Sequence, residues 1–253
     1  PAVSLPDSAR VRRALERCDF VVVSDCVTKN DTMAYADIVL PAAAWGEKDG
    51  TVTNSERCIS RQRAFEAPAG EARADWRIIC DVAKHMGYGH AFSYKSPADI
   101  FREHAALSAF ENDGARAFDI SGLADLSDAE YDSLEPRQWP ITETNPHGTP
   151  RLCEDGRFFT EDGCARFVAV TPITPVHATD MRFPLALNTG RTRDQWHTMT
   201  RTGLSARLGS HRPEPFVEIH PGDAAKYAIK DGGLARLQTV WGRGIYRVIV
   251  TVD

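Results

Sequence analysis

Two short apolar runs, FVVVSD at 20–25 and ADIVLP at 36–41, set the terms for the first part of this chain. Each is too short for a helix and rich in β-branched residues, so each reads as a strand. The second reads as a buried strand, stopped at Pro41, which has no N–H to extend a ladder. Helical patterns lie around them. DSARVRRALERCDF carries Val11, Ala14 and Leu15 at helical spacing, with Asp7 or Ser8 as N-cap. ADWRIICDVAKHMGY places Trp76, Ile79, Val82, Ala83 and Met86 on one stripe and stops at Gly87. SPADIFREHAALSAF is a further helix, capped at Ser96. GTVTNSERCISRQRAF alternates and predicts extended or hairpin structure. Strand, loop, strand beside helices is the pattern of an open α/β sheet.

The periodicity then fades. From about 110 to 165 glycine, proline, aspartate and glutamate dominate, with one short helical piece at SDAEYDSLE. That stretch predicts a long connection over the surface. From Arg182 the character turns to β. FPLALN, FVEIH, GLARLQTVWG and GIYRVIVTVD read as short strands, and HPGDAAKYAI as a helix opened by Pro221 and Gly222. With a glycine hairpin at Gly242 and Gly244, these predict a small barrel. The expected organisation is an α/β open-sheet portion over 1–109, an irregular connection over 110–178 and a β-rich barrel over 179–253, incomplete at its C-terminal end.

Charge and composition exclude several classes. A net charge of -5 argues against general nucleic-acid binding, so any anion site is local. No apolar run approaches the roughly 20 residues of a bilayer span, so no membrane partner is expected. The chain begins at Pro1 without a signal-peptide pattern, which points to a fragment of a longer, cytoplasmic protein. Cys18, Cys26, Cys58, Cys80, Cys153 and Cys164 form no CxxC and no zinc-finger spacing. They read as free thiols of a reducing compartment, with no metal site among them.

One stretch asks for an anion. NTGRTRDQWHTMTRTG, 188–203, gathers arginines, hydroxyls, a tryptophan and a histidine just after an apolar run. A turn at Thr189-Gly190 exposes N–H groups that cradle an anion. Arg191 and Arg193 suit bidentate phosphate contact, Thr189, Thr192 and Thr198 add neutral donors, and Trp196 and His197 suit a flat ring. A surface loop of solvated arginines explains the same residues. Earlier in the chain, Ser24 and Asp25 end a strand at the usual ligand edge of an open sheet. Lys48 sits in a Gly-flanked turn, and Asp75 opens a helix. Helix capping for Asp25 and Asp75, and solvation for Lys48, are the plainer readings.

Three blocks in one order carry a family resemblance: ADIVLPAAAWGEKDGTVTNSERC at 36–58, APAGEARADW at 67–76, and NTGRTRDQWHTMTRTG at 188–203 running on through EPFVEIHPGDA at 214–224. They resemble the molybdopterin oxidoreductase family, in particular nitrate reductases that carry a molybdenum bis(molybdopterin guanine dinucleotide) cofactor. RDQWHTMTRTG and the piece YDSLEPRQWP are most similar to the assimilatory nitrate reductases. The loop CVTKNDTMAYA after Asp25 departs from relatives that carry a proline and a glutamate there.

The resemblance implies roles. Ser24, Asp25, Lys48 and Asp75 match positions that contact the guanine dinucleotide of one pterin. Thr189, Gly190, Arg191, Thr192, Arg193, Gln195, Trp196, His197 and Thr198 match the loop that holds the other cofactor moiety. That loop lies near the start of a domain that is a six-stranded double-psi barrel in the family. Arg201 and Met199 follow it as candidates for lining a substrate funnel, with packing in a turn as the equal alternative. The family's 4Fe-4S cluster and its protein ligand to molybdenum are bound upstream, and none of the six cysteines here matches either. The implied parent reduces nitrate to nitrite, fed by a ferredoxin, a flavodoxin or an NADH-linked partner, and this part alone is inactive. The rival readings are a formate dehydrogenase or an S- or N-oxide reductase on the same scaffold, or a non-enzymatic module that binds a nucleotide or a partner.

Overall fold

The structure is a computed structural model, and it describes residues 1–199 and 201–252. The chain divides into two compact units, Ala9–Ala169 and Pro1–Ser8 with Val170–Asp253. Both are mixed α/β.

In the first unit, α1 (Ser8–Glu16) leads to β1 (Val22–Asp25), which pairs in parallel with β2 (Ile38–Pro41). The register brings Ser24 opposite Leu40 and Asp25 opposite Pro41. The ladder continues past Pro41: the Ala42 N–H donates to the Asp25 carbonyl, and the Ala43 N–H to the Arg73 carbonyl. Arg73 in turn donates its N–H to Pro41. Three chain segments thus end side by side, and α2 (Asp75–His85) starts two residues beyond Arg73. The α2 helix closes on Gly87, whose φ of +89° only glycine takes without strain. The Tyr88 N–H reaches the Ala83 carbonyl and the Gly87 N–H the Lys84 carbonyl, the paired bonds of a Schellman end.

The core lies elsewhere in this unit. β3 (Gly50–Thr53) and β4 (Cys58–Gln62) form the expected hairpin, and β4 also pairs with β5 (Arg137–Gln138). α3 (Pro97–Ala109) packs Ala98, Phe101 and Ala105 against Ile59, Ile120, Leu123, Tyr131, Leu134 and Ile141. Ser96 is its N-cap residue, as expected, and the Asp99 carboxylate completes the start by accepting from the Lys95 and Ser96 N–H groups. α4 (Asp128–Asp132) is held by a reciprocal Ser127–Glu130 cap.

Several expectations fail here. Ile120, Leu123, Tyr131, Leu134 and Ile141 are buried, so much of the stretch expected to wrap the surface is core. A 3-10 turn, the short helix α4 and single loop residues supply that core, which leaves no period to read. β2 is not buried: Ile38 is 43 % and Val39 44 % exposed, because no other layer of described residues covers the β1–β2 pair. The α2 stripe is likewise open, with Ile79, Val82 and Met86 exposed and only Ala83 buried.

In the second unit β6 (Phe216–Ile219) lies parallel to β8 (Arg243–Val250), and β7 (Leu234–Gln238) pairs antiparallel with β8. Between the turn α5 (Ala206–Gly209) and β7 comes α6 (Pro221–Lys226), with Pro221 at its first position and the His220 ring nitrogen accepting from Gly222. Val248 on β8 is the buried centre of the sheet. The described residues form a three-stranded sheet in the order β6-β8-β7, and no closed barrel. FPLALN is not a strand: residues 183–188 have no ladder partner, and a strand needs one for its N–H and C=O groups.

Candidate functional site

Two clusters of candidate residues stand in the two units. In the first, β1 delivers Asp25 to the carboxyl end of the parallel pair. Its carboxylate is tied into its own loop: Oδ1 accepts from the Val27 N–H at 3.1 Å and Oδ2 from the Asn30 amide at 3.1 Å. Asn30 also accepts from the N–H groups of Thr32 and Met33, both at 3.0 Å. Asn30 therefore shapes the loop that follows Asp25, and sequence reasoning missed it. Asp25 does not cap a helix. An ionised carboxylate has about four lone-pair sites, so Asp25 keeps acceptor capacity for a ligand N–H or O–H. Ser24 is exposed beside it.

Lys48 and Asp75, 27 residues apart, meet: Lys48 Nζ lies 2.8 Å from Asp75 Oδ2. The Lys48 side chain is 27 % exposed and Asp75's is 52 % exposed. Asp75 is the first residue of α2, and the N-cap position belongs to Ala74, without a side-chain bond. The plainer reading of Asp75 as an N-cap is thus replaced by an ion pair at the helix's positive end. The ammonium has three donors and spends one on Asp75, so two remain for solvent or ligand. Exposed Trp45 stands three residues before it.

In the second unit, Thr189, Gly190 and Arg191 are exposed, and nothing packs where a Gly190 side chain would sit. Arg191 makes no ion pair among the described residues. Arg193 turns to its neighbour: Nε and Nη2 each lie 2.9 Å from a different oxygen of Asp194. That fork holds the Asp194 carboxyl below the usual carboxylate range and the Arg193 guanidinium above its own. His211 Nδ1 approaches the same carboxylate at 3.0 Å. Gln195 donates to the Leu208 carbonyl and accepts from the Thr202 hydroxyl at 2.6 Å, and that hydroxyl accepts from the Trp196 N–H at 3.1 Å. Thr202, Asp194 and His211 thus hold the loop, though none was a candidate. The signal for Asp194 was its place next to Arg193.

Trp196 is 65 % exposed and meets His197 edge to face at 4.7 Å. Thr192 is half-buried, and the Thr198 hydroxyl donates to the His197 carbonyl at 2.7 Å. Thr198 and Met199 both have φ of +57°, a left-handed pair that is strained for side-chain-bearing residues. Thr200 of this stretch lies outside the described residues. Arg201 stands just before the short turn Thr202–Leu204 without a capping side-chain bond, and Met199 packs by Gly203. Each cluster offers unspent donors and acceptors, and the second adds an open aromatic face. Taken by itself, the first cluster suits the hydroxyl, N–H and anionic groups of a ligand, and the second suits an anionic group beside a flat ring.

The profile of the family described as Molybdopterin oxidoreductase matches residues 1–85. That of the Molydopterin dinucleotide binding domain matches residues 185–253. A nitrate reductase of Klebsiella oxytoca is 51 % identical over 99 % of this chain and 28 % of its own length. The assimilatory nitrate reductase catalytic subunit of Bacillus subtilis is 36 % identical over 96 % of the chain and 33 % of its own. A formate dehydrogenase subunit alpha of Methanocaldococcus jannaschii is 35 % identical over 100 % of the chain and 35 % of its own. Among solved structures, acetylene hydratase from Pelobacter acetylenicus superposes with a TM-score of 0.66 at 18 % identity, over 99 % of this chain and 34 % of that one, a likeness of fold. The chain spans about a third or less of the length of these relatives. Asp25, Lys48 and Asp75 lie in the first matched span and the loop 189–198 in the second, and the chain belongs to the molybdopterin oxidoreductase family.

Proposed function

We propose that this chain is the cofactor-holding part of a molybdenum-dependent nitrate reductase, which reduces nitrate to nitrite. The observation that carries the reading is that Asp25 ends one strand of the parallel ladder, while the segments that leave beside it bring Lys48 and Asp75 together as an ion pair. The bound molybdenum bis(molybdopterin guanine dinucleotide) supplies the two-electron oxygen-atom chemistry. The residues of this chain bind and orient it. Lys48 gives its two free donors to phosphate oxygens. Ser24, Asp25 and Asp75 engage the hydroxyl and N–H groups of a ribose and a guanine. Thr189 to Thr198 hold the other cofactor moiety, with Arg191 on its anionic oxygens and Trp196 against its ring. On this reading the second unit belongs to a double-psi barrel. A 4Fe-4S cluster elsewhere in the parent passes electrons from a ferredoxin, a flavodoxin or an NADH-linked partner, in the cytoplasm.

Nitrate is favoured over formate by the higher identity to nitrate reductases, 51 % against 35 %. The test uses the full-length parent with reduced viologen as donor and molybdenum counted in the same sample. Nitrite formed in proportion to bound molybdenum supports the reading. Bound molybdenum with formate oxidation and no nitrite overturns the substrate, and absence of molybdenum overturns the cofactor.

A further inference from the structure

We propose that Gln62 is a positioning residue for Lys48, an inference that rests on the reading of Lys48 as a cofactor contact. Lys48 ends a tight turn, Trp45–Glu47, whose carbonyls point across to the end of β4. The single side-chain amide of Gln62 takes two of them: Nε2 donates to the Trp45 carbonyl at 2.7 Å and to the Lys48 carbonyl at 3.1 Å. Both amide hydrogens are spent, so Gln62 has no donor left for any ligand. It acts on the turn alone.

The rest of the turn is held by Arg61 on β4 and by the segment that follows the strand. The Gly46 carbonyl accepts from the Phe65 and Glu66 N–H groups, the Asp49 carboxylate from the Ala64 N–H, and the Gly50 carbonyl from Arg61 Nη1 at 2.6 Å. Gln62 supplies the only described clamp on the Lys48 peptide itself, where the backbone leaves the turn and becomes extended (φ -136°, ψ 145°). A lysine side chain has four rotatable bonds and is costly to order. Here both ends are pinned, the backbone by Gln62 and Nζ by Asp75 at 2.8 Å. With the ordering done in advance, the ligand meets a fixed ammonium instead of a mobile one.

The test is a double-mutant cycle in the full-length holoenzyme: Gln62→Met, Lys48→Ala and both together. Gln62→Met keeps length and removes both donors, and Gln62→Glu serves as a second variant of the same shape. The readouts are the rate at which molybdenum is lost from the protein on dilution and the hydrogen exchange of residues 44–50. Each single change should speed loss roughly five- to tenfold, as one or two hydrogen bonds are worth. The double variant should lose cofactor no faster than Lys48→Ala, because Gln62 acts through Lys48. Exchange over 44–50 should rise in the Gln62 variants while that of α3 stays unchanged. Unchanged release in Gln62→Met and Gln62→Glu, or effects that multiply in the double variant, overturns the positioning role. Unchanged release in Lys48→Ala overturns instead the cofactor contact on which it rests.

Discussion

Replacing Ser108 with alanine tests where the core of the first unit lies. The Ser108 hydroxyl is buried on α3, accepts from the Ile120 N–H at 2.8 Å and donates to the Ala105 carbonyl at 2.6 Å. Ile120 itself has no exposed surface. In Ser108→Ala the Ile120 N–H has no acceptor and no water, which costs about 1–3 kcal/mol. The Ala105 carbonyl sits within a helix and has a second lone pair, so its loss adds little. Local opening should therefore become easier by roughly ten- to a hundredfold. Hydrogen exchange of peptides covering 105–123, followed in the full-length protein, reads this directly. Ile120→Val, which removes one methylene, should give a smaller rise at the same peptides, for a cost of about 0.5–1.5 kcal/mol. Exchange unchanged in Ser108→Ala would refute the reasoning and return residues 110–145 to the surface.

Other outcomes follow from the same contacts. Asp25→Ala releases Val27 and Asn30 and should lower molybdenum content in the parent while leaving the KM for nitrate unaltered, and unaltered molybdenum would contradict it. Arg61→Met should lower stability by about 2 kcal/mol, mostly from the orphaned Gly50 carbonyl and the lost stacking on Tyr131, since Asp49 and Asp132 are too exposed to contribute much; an unshifted unfolding midpoint would count against this. The hydrogen bond from Tyr94 to Glu103 pushes the phenol up to about 12. A raised folded value means that its stabilising effect is whole below the ordinary tyrosine range and is lost as pH rises through about 12. Ultraviolet titration of the parent against Tyr94→Phe should show this late phenol, and Glu103→Gln should bring it back toward the ordinary range.

What was legible followed period and punctuation. The β3–β4 hairpin alternates, α3 starts at its Ser96 cap, and α2 ends at a glycine that only its φ explains. What was hidden lacked both. Ile120, Leu123, Leu134 and Ile141 pack from turns and loops, where side-chain direction follows no rule of sequence, and Tyr131 from a helix too short to show a period. The apolar stripe of α2 was read correctly as a stripe, yet apolar spacing does not say what covers it. Within the site, resemblance grouped Lys48 with Asp75, but contact across 27 residues is a property of the fold. Asn30 and Gln62 were invisible because an amide's value lies in the backbone atoms it reaches. Arg193 was read as an anion donor, and its fork on the neighbouring Asp194, which takes two of its five donors, was not.

The most direct test of the central claim is an experimental structure of the full-length parent purified with its cofactor. One guanine dinucleotide is expected within hydrogen-bond distance of the Asp25 carboxylate and Lys48 Nζ, and the loop 189–198 against the other cofactor moiety. A cofactor bound with none of these residues in contact would contradict it.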